Sequence, residues 1–196
     1  MYVRDARNRD EVWLLDHIEA MGLDETAFRS HDYVIAVDDE TGERAGFGRL
    51  RLHPHPGDPQ YCELTSIGVL EAWREQGVGA HVVERLVQTA AEKFDFEVVY
   101  ALSSNHAYLE QFGFMPIDRS DLPEALAERL DTKRESLDPE AIPLRIDPTR
   151  FRMPARLREH FKAAAADRGE EPEPTERPED FGIDPDRATY KYDTGR

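Results

Sequence analysis

Residues 61–102 constrain this chain more than any other stretch. Tyr61 to Val69 carries enough β-branched and apolar residues for a strand. From Val78 to Phe94 the apolar positions Val78, Val82, Val83, Leu86, Val87, Ala90, Ala91 and Phe94 recur with the helical period. The turn between them ends in Gly77 and Gly79. A strand that runs through such a turn into a long helix gathers unpaired backbone N–H groups and the positive end of the helix dipole at one point. That point suits an anion, and glycines without Cβ let phosphate oxygens approach, so a pyrophosphate is the natural ligand. Phe96 to Leu102 reads as a further strand. Strand, helix, strand implies a parallel pair with a crossover, so the fold class is α/β or α+β with a mixed sheet.

The remaining elements fit around this unit. Tyr2 to Ala6 reads as a strand, and Arg9 to Met21 as a helix with Val12, Leu15 and Ile18 on one side, closed by Gly22. Tyr33 to Val37 and Arg44 to Leu52 form a hairpin through the polar residues 38–43. Three prolines between His53 and Pro59 predict a loop there. Asn105 to Phe112 is a short helix and Phe114 to Ile117 a strand. Asp121 and Glu124 have capping-box spacing, and Leu122, Leu126 and Leu130 would line the buried side of the helix they open. Residues 138–154, with four prolines, read as a connector before a helix over Ala155 to Ala166 that presents Leu157 and Phe161. Arg168 to Asp180 holds six acids and three prolines, which marks a linker, and Phe181, Tyr190 and Tyr192 are expected to dock on the body or on a partner subunit in a homodimer. The expected divisions are a domain over 1–137, a connector and helix over 138–167, and a tail over 168–196.

Charge excludes some functions. With 41 Asp and Glu against 25 Lys and Arg, the net charge is −16, and no basic stripe stands out that would hold nucleic acid. The only lysines are Lys93, Lys133, Lys162 and Lys191, and low lysine beside abundant carboxylates points to adaptation to high salt. No apolar run is long enough for a membrane span and the N-terminus lacks a signal-peptide pattern, so a soluble, cytoplasmic protein without membrane partners is expected. Cys62 is the single cysteine, which excludes an intramolecular disulfide and any multi-thiolate metal site. No metal site is expected.

Gly79 is followed by Ala80-His81 rather than Lys-Ser/Thr, which disfavours a nucleoside triphosphate loop, and a dinucleotide fingerprint would need glycine where Val82 stands. The larger pattern resembles the GNAT superfamily of acetyl-CoA-dependent N-acetyltransferases. Its Arg/Gln-x-x-Gly-x-Gly/Ala signature is met by Arg74, Gly77 and Gly79, with Trp73 at the preceding aromatic position. Asn105-His106-Ala107 and Gly113-Phe114 look like the Asn-x-x-Ala and Gly-Phe that follow the fifth strand in that family. The likeness covers residues 1–118. A narrower similarity joins Gly113 to Asp118 and Asp121-Leu122-Pro123 to the end of N-acetylglutamate synthase-type domains.

The resemblance implies a mostly antiparallel mixed sheet, flanked by helices and splayed between its fourth and fifth strands, with a C-terminal helical extension. Acetyl-CoA would lie in that opening as co-substrate. Pantetheine would be held by Ile67, Gly68 and Val69, the pyrophosphate by the N–H groups of Arg74, Glu75, Gln76, Gly77, Val78, Gly79 and Ala80, and the cofactor arm by Asn105. Glu63 matches the position of the family's general base, and burial is expected to raise its pKa. The family's usual Tyr acid falls on Leu109, with Tyr108 one residue earlier, so Tyr108 is the candidate acid and Ser103 and Ser104 are secondary donors. The acceptor would be a primary amine of a small molecule or protein, attacking directly in a ternary complex. A module that binds acyl-CoA without catalysis is the alternative. His53 and His55 lack an acidic partner at helical spacing and read as loop residues, and Cys62 reads as a buried core thiol.

Overall fold

The computed structural model describes residues 1–55 and 58–166. The tail assigned to 168–196, with Phe181, Tyr190 and Tyr192, lies outside the described residues. Seven strands form one sheet in the order β1-β2-β3-β4-β5-β7-β6, where β1 is Tyr2–Asp5, β2 Tyr33–Val37, β3 Arg44–His55, β4 Asp58–Val69, β5 Val99–Ser103, β6 Met115–Pro116 and β7 Ile142–Ile146. All pairs are antiparallel except β4 and β5, which run parallel and meet only at Glu63↔Tyr100 and Leu64↔Ala101. Val69 and Ser103 continue both strands beyond that contact, so the sheet opens there.

The long helix α2, Val78–Glu92, covers one face with Val78, Val82, Val83, Leu86, Val87 and Ala90 buried against Val34, Ala36, Cys62 and Leu64. Phe94 lies beyond its end and is exposed. The other face is covered in two places. Helix α1, Glu11–Ala20, packs Leu14 and Ile18 on Tyr33, Ile35 and Phe47, while α4, Glu124–Ser136, packs Leu126, Ala127 and Leu130 with Leu102 and Leu122. Asp10, fully buried before α1, accepts hydrogen bonds from Arg4, Arg44 and the Arg7 N–H, which ties β1, α1 and β3 together. Burial alone would raise its pKa, but these three donors outweigh that and hold the carboxyl far below the usual range.

Four expectations change. Val12 is 71% exposed and Leu14, not Leu15, is the fully buried partner of Ile18, because residues four apart share a face of α1 whereas Val12, six residues before Ile18, lies roughly 120° round the helix from it. The proline segment after Leu52 is no seven-residue loop: β3 continues to His55 and β4 begins at Asp58, with a register shift between His53 and His55 that relaxes the ladder where prolines cannot donate. Asp121 caps nothing, since it ends a 3-10 turn and α4 starts after Pro123 without a side-chain cap. Residues 138–154 are more than a connector. They supply β7, which sits between β5 and β6 with Leu144 and Ile146 buried.

Candidate active site

The opening between β4 and β5 leads into a cavity of about 560 Å3. One end is the turn before α2. Glu75 and Gly77 both have left-handed backbones, φ 62° and 75°, which fold this turn tightly. The first return bond of the helix is His81 N–H to the Gly77 carbonyl at 3.2 Å, so the N–H groups at the start of α2 have no acceptor within it. Arg74, Glu75, Gly77, Val78 and Gly79 line the cavity here, as do Ile67 and Val69 of β4. Asn105 and Tyr108 enter from across the opening, the latter on α3, His106–Glu110. A Cβ on Gly79 would come within 2.9 Å of the Tyr108 hydroxyl, so this glycine keeps the cavity open. Gly77 has a further duty. A Cβ there would collide with the Leu157 carbonyl of α5, Ala155–Ala166. Phe161 of the same helix stacks on His81 at 3.7 Å, so α5 packs beside the turn.

Three of the residues assigned to the cofactor do not line this cavity. Gly68 faces Met21 and Phe47 on the other side of the sheet, Ala80 is buried in the core, and the Gln76 side chain donates to the Ala72 carbonyl. The cause at Gly68 is a bulge. Arg49 pairs Thr65 while Phe47 pairs Gly68, so β4 carries an extra residue, and Ser66 takes a left-handed φ of 49°. Ser66 Oγ donates to the Asp24 carbonyl at 2.9 Å, which anchors the segment after α1 to the bulge.

The far end of the cavity is built from charged side chains. Asp24, Thr65, Ser66, Leu102 and Lys133 line it. Asp24 accepts from Arg129 and lies 3.4 Å from Arg51. Its carboxyl is pushed up by burial but brought below the usual range by hydrogen bonds from Thr26 and by the two guanidinium groups. Glu63 lies beneath this end. It is fully buried, accepts from His53 Nε2–H at 2.7 Å and from Arg129 Nε at 3.3 Å, and does not line the cavity. Burial pushes its pKa up, yet the His53 hydrogen bond and the fields of Arg129 and Lys133 prevail and hold it below the ordinary value. The expectation of a raised Glu63 pKa is therefore overturned, because neighbouring cations outweigh desolvation. Among the described residues, buried Glu63 Oε1 and Thr65 Oγ1 have no hydrogen-bond partner.

The candidate acid is also displaced from this end. Tyr108 directs its hydroxyl to Gly79 at the start of α2, and burial pushes it up to about 12. Ser103 Oγ is occupied by the Asn105 N–H at 3.0 Å. Cys62 lies in the α2-side core, where burial pushes the thiol up to about 12, as a core cysteine requires. His53, Arg51, Arg129, Lys133 and Asp24 are the site residues that sequence spacing did not single out. His53 had one readable signal: strand alternation places it on the Glu63 face if β3 is extended past Leu52. No group of three or more metal-ligating side chains occurs among the described residues, and none of the described helices is long and apolar enough to cross a membrane.

The family model described as "Acetyltransferase (GNAT) family" matches residues 2–114 of the 196. Among solved structures, N-acetylglutamate synthase from Neisseria gonorrhoeae, complexed with coenzyme A and N-acetyl-glutamate, superposes with a TM-score of 0.59 at 18% identity. That match covers 74% of this chain and 34% of the synthase, so the chain spans about a third of that protein's length. Rv2747 from Mycobacterium tuberculosis, in complex with CoA, gives 0.61 at 19% identity over 75% of this chain and 99% of its own. The NatC complex bound to Gag peptide and CoA gives 0.52 at 16% over 74% and 97%. These likenesses show the fold, and the family match covers more than half of the sequence. The chain belongs to the GNAT acetyltransferase family.

Proposed function

We propose that this enzyme moves the acetyl group of acetyl-CoA to a primary amine of a small molecule or protein, by direct attack while both substrates are bound. The observation that carries the reading is one continuous cavity that joins a helix N-terminus at one end to a charged, partly unsatisfied cluster at the other. Free N–H groups of α2 and the space kept by Gly79 suit a pyrophosphate. Between the ends, the parted edges of β4 and β5 suit an extended amide-bearing arm. Acetyl-CoA supplies the activated acetyl group, and the protein supplies alignment and charge.

The acceptor enters from the Asp24 end. Fixed negative charge on Asp24, Glu63 and Asp138 draws an amine, while Arg51, Arg129 and Lys133, gathered at the same end, suit an acceptor that also carries a carboxylate. N-acetyl-glutamate in the Neisseria synthase and a peptide in the NatC complex are two acceptor-side precedents, and the first fits this charge pattern better. Glu63 acts as the anionic centre of that cluster, since a carboxyl held below its ordinary pKa is a weak proton acceptor. The reading without catalysis draws on one observation, the Tyr108 hydroxyl turned toward Gly79. Turnover of acetyl-CoA against a panel of amino acids, simple amines and peptide N-termini tests both. Release of CoA that depends on an α-amino acid is expected, and tight CoA binding without release for any amine would favour the binding module.

A further inference from the structure

Lys133 has no role in the family pattern quoted above, yet it lines the charged end of the cavity. Helix α4 docks by Leu126 and Leu130, and Arg129 and Lys133, four residues apart, lie one above the other on its surface toward β4. Arg129 is consumed by Asp24 and Glu63. Lys133, one turn on, donates to the Leu102 carbonyl. Leu102 is the first residue of β5 after its pairing with β4 ends at Leu64↔Ala101, so the ammonium caps the point where the strands part. No carboxylate forms an ion pair with Lys133 among the described residues, although Glu63 of β4, Asp138 after α4 and Asp24 after α1 face it and Arg129 opposes them. From Val69 back to Leu64 the strand spans about 17 Å at roughly 3.4 Å per residue. An arm anchored by its phosphates at α2 and laid along that strand would run toward Lys133.

We propose that Lys133 is a catalytic residue of the acetyl transfer, the proton donor to the departing CoA sulfur. The inference rests on the acetyl-CoA reading above. As the acceptor nitrogen bonds to the acetyl carbon and the C–S bond breaks, sulfur keeps the electron pair and takes a proton from Lys133 Nζ. The acceptor nitrogen loses its proton to water, and the neutral lysine is reprotonated from solvent. Burial lowers the Lys133 pKa, with Glu63 the largest opposing influence, which brings the ammonium closer to an alkyl thiol at ~8.5 and makes the transfer better matched. Tyr108, pushed up to about 12, is moved away from that match.

The test uses the full chain with CoA, then acetyl-CoA with hydroxylamine as a small acceptor that needs no built site. Calorimetry first establishes that wild type, Lys133→Met and Lys133→Arg bind CoA, and absence of binding by the wild type would fail the acetyl-CoA reading itself. Titration of the ultraviolet thiolate band of bound CoA should then show a thiol pKa below that of free CoA in wild type and Lys133→Arg. In Lys133→Met the thiolate fraction should fall about tenfold at neutral pH, since a nearby cation favours the anion. In steady state both variants should lose on the order of 100-fold in kcat with little change in KM for acetyl-CoA, and both should lose the alkaline limb of the rate profile. Arginine keeps the charge but releases no proton, so it carries the test if the methionine variant does not fold. Wild-type rates in Lys133→Arg, or an unchanged thiol titration in a folded Lys133→Met, would overturn the proposal.

Discussion

The two ends of the cavity are made by different means. At the α2 end, one continuous segment from Ile67 to Gly79 supplies strand, turn and helix start, and the chemistry is mainly that of the backbone. At the other end, Asp24, Arg51, His53, Glu63, Arg129 and Lys133 come from four separate parts of the chain and act through charged side chains. A backbone site tolerates change in side chains but not in space, whereas a charge cluster tolerates neither loss of a partner nor a change of protonation. The two ends should therefore fail in different ways.

The largest effect is expected at the α2 end. Gly79→Glu places bulk and negative charge against the Tyr108 hydroxyl, so calorimetry should show CoA binding abolished while circular dichroism and melting stay close to wild type. Unchanged CoA affinity in the folded variant would break the assignment. Next comes Arg129→Met, which strands Asp24 and Glu63 as buried carboxylates. Removing one partner of a buried ion pair costs about 3–5 kcal/mol, so urea denaturation should show a loss near the lower figure, given the remaining Arg51 and His53 contacts.

Acid sharpens the contrast. Asp10, Asp24 and Glu63 have folded pKa values below their ordinary ones, so their contribution to stability is complete above the unfolded carboxylate range and is lost as pH falls through the folded values. Melting temperature should hold between neutrality and about pH 5 and decline below about pH 4. Any acidic limb in kcat/KM above pH 5 should survive in Glu63→Gln, because Glu63 is already ionised there. Loss of such a limb in that variant would restore Glu63 as the direct base. The smallest effect concerns salt. A net charge of −16 should make the melting temperature rise between 0.15 and 1 M salt as the screening length falls from ~8 to ~3 Å, and a flat or falling curve would count against salt adaptation.

The same contrast explains what the sequence revealed. The turn and α2 were legible because their signal is local: period, glycines and flanking elements lie within one stretch. The parallel strand pair followed from the crossover, and the opening from the family resemblance. Glu63 could be placed on its strand, yet its protonation could not be judged, since His53 lies ten residues away through a hairpin read as loop and Arg129 lies 66 residues away on α4. β7 was hidden because the four prolines of 138–154 resemble a connector, although Pro143 sits within the strand opposite Leu102. Lys133 carried no motif. Its importance arises from the place where β4 and β5 separate, which only the fold defines.

A crystal structure of the full chain with CoA tests the central claim most directly. The account predicts pyrophosphate density on the N–H groups at the start of α2 beside Gly79, an arm along Val69 to Leu64, and the sulfur within hydrogen-bonding reach of Lys133. A CoA that leaves the α2 turn empty, or a sulfur that ends at Tyr108 instead of Lys133, would contradict it.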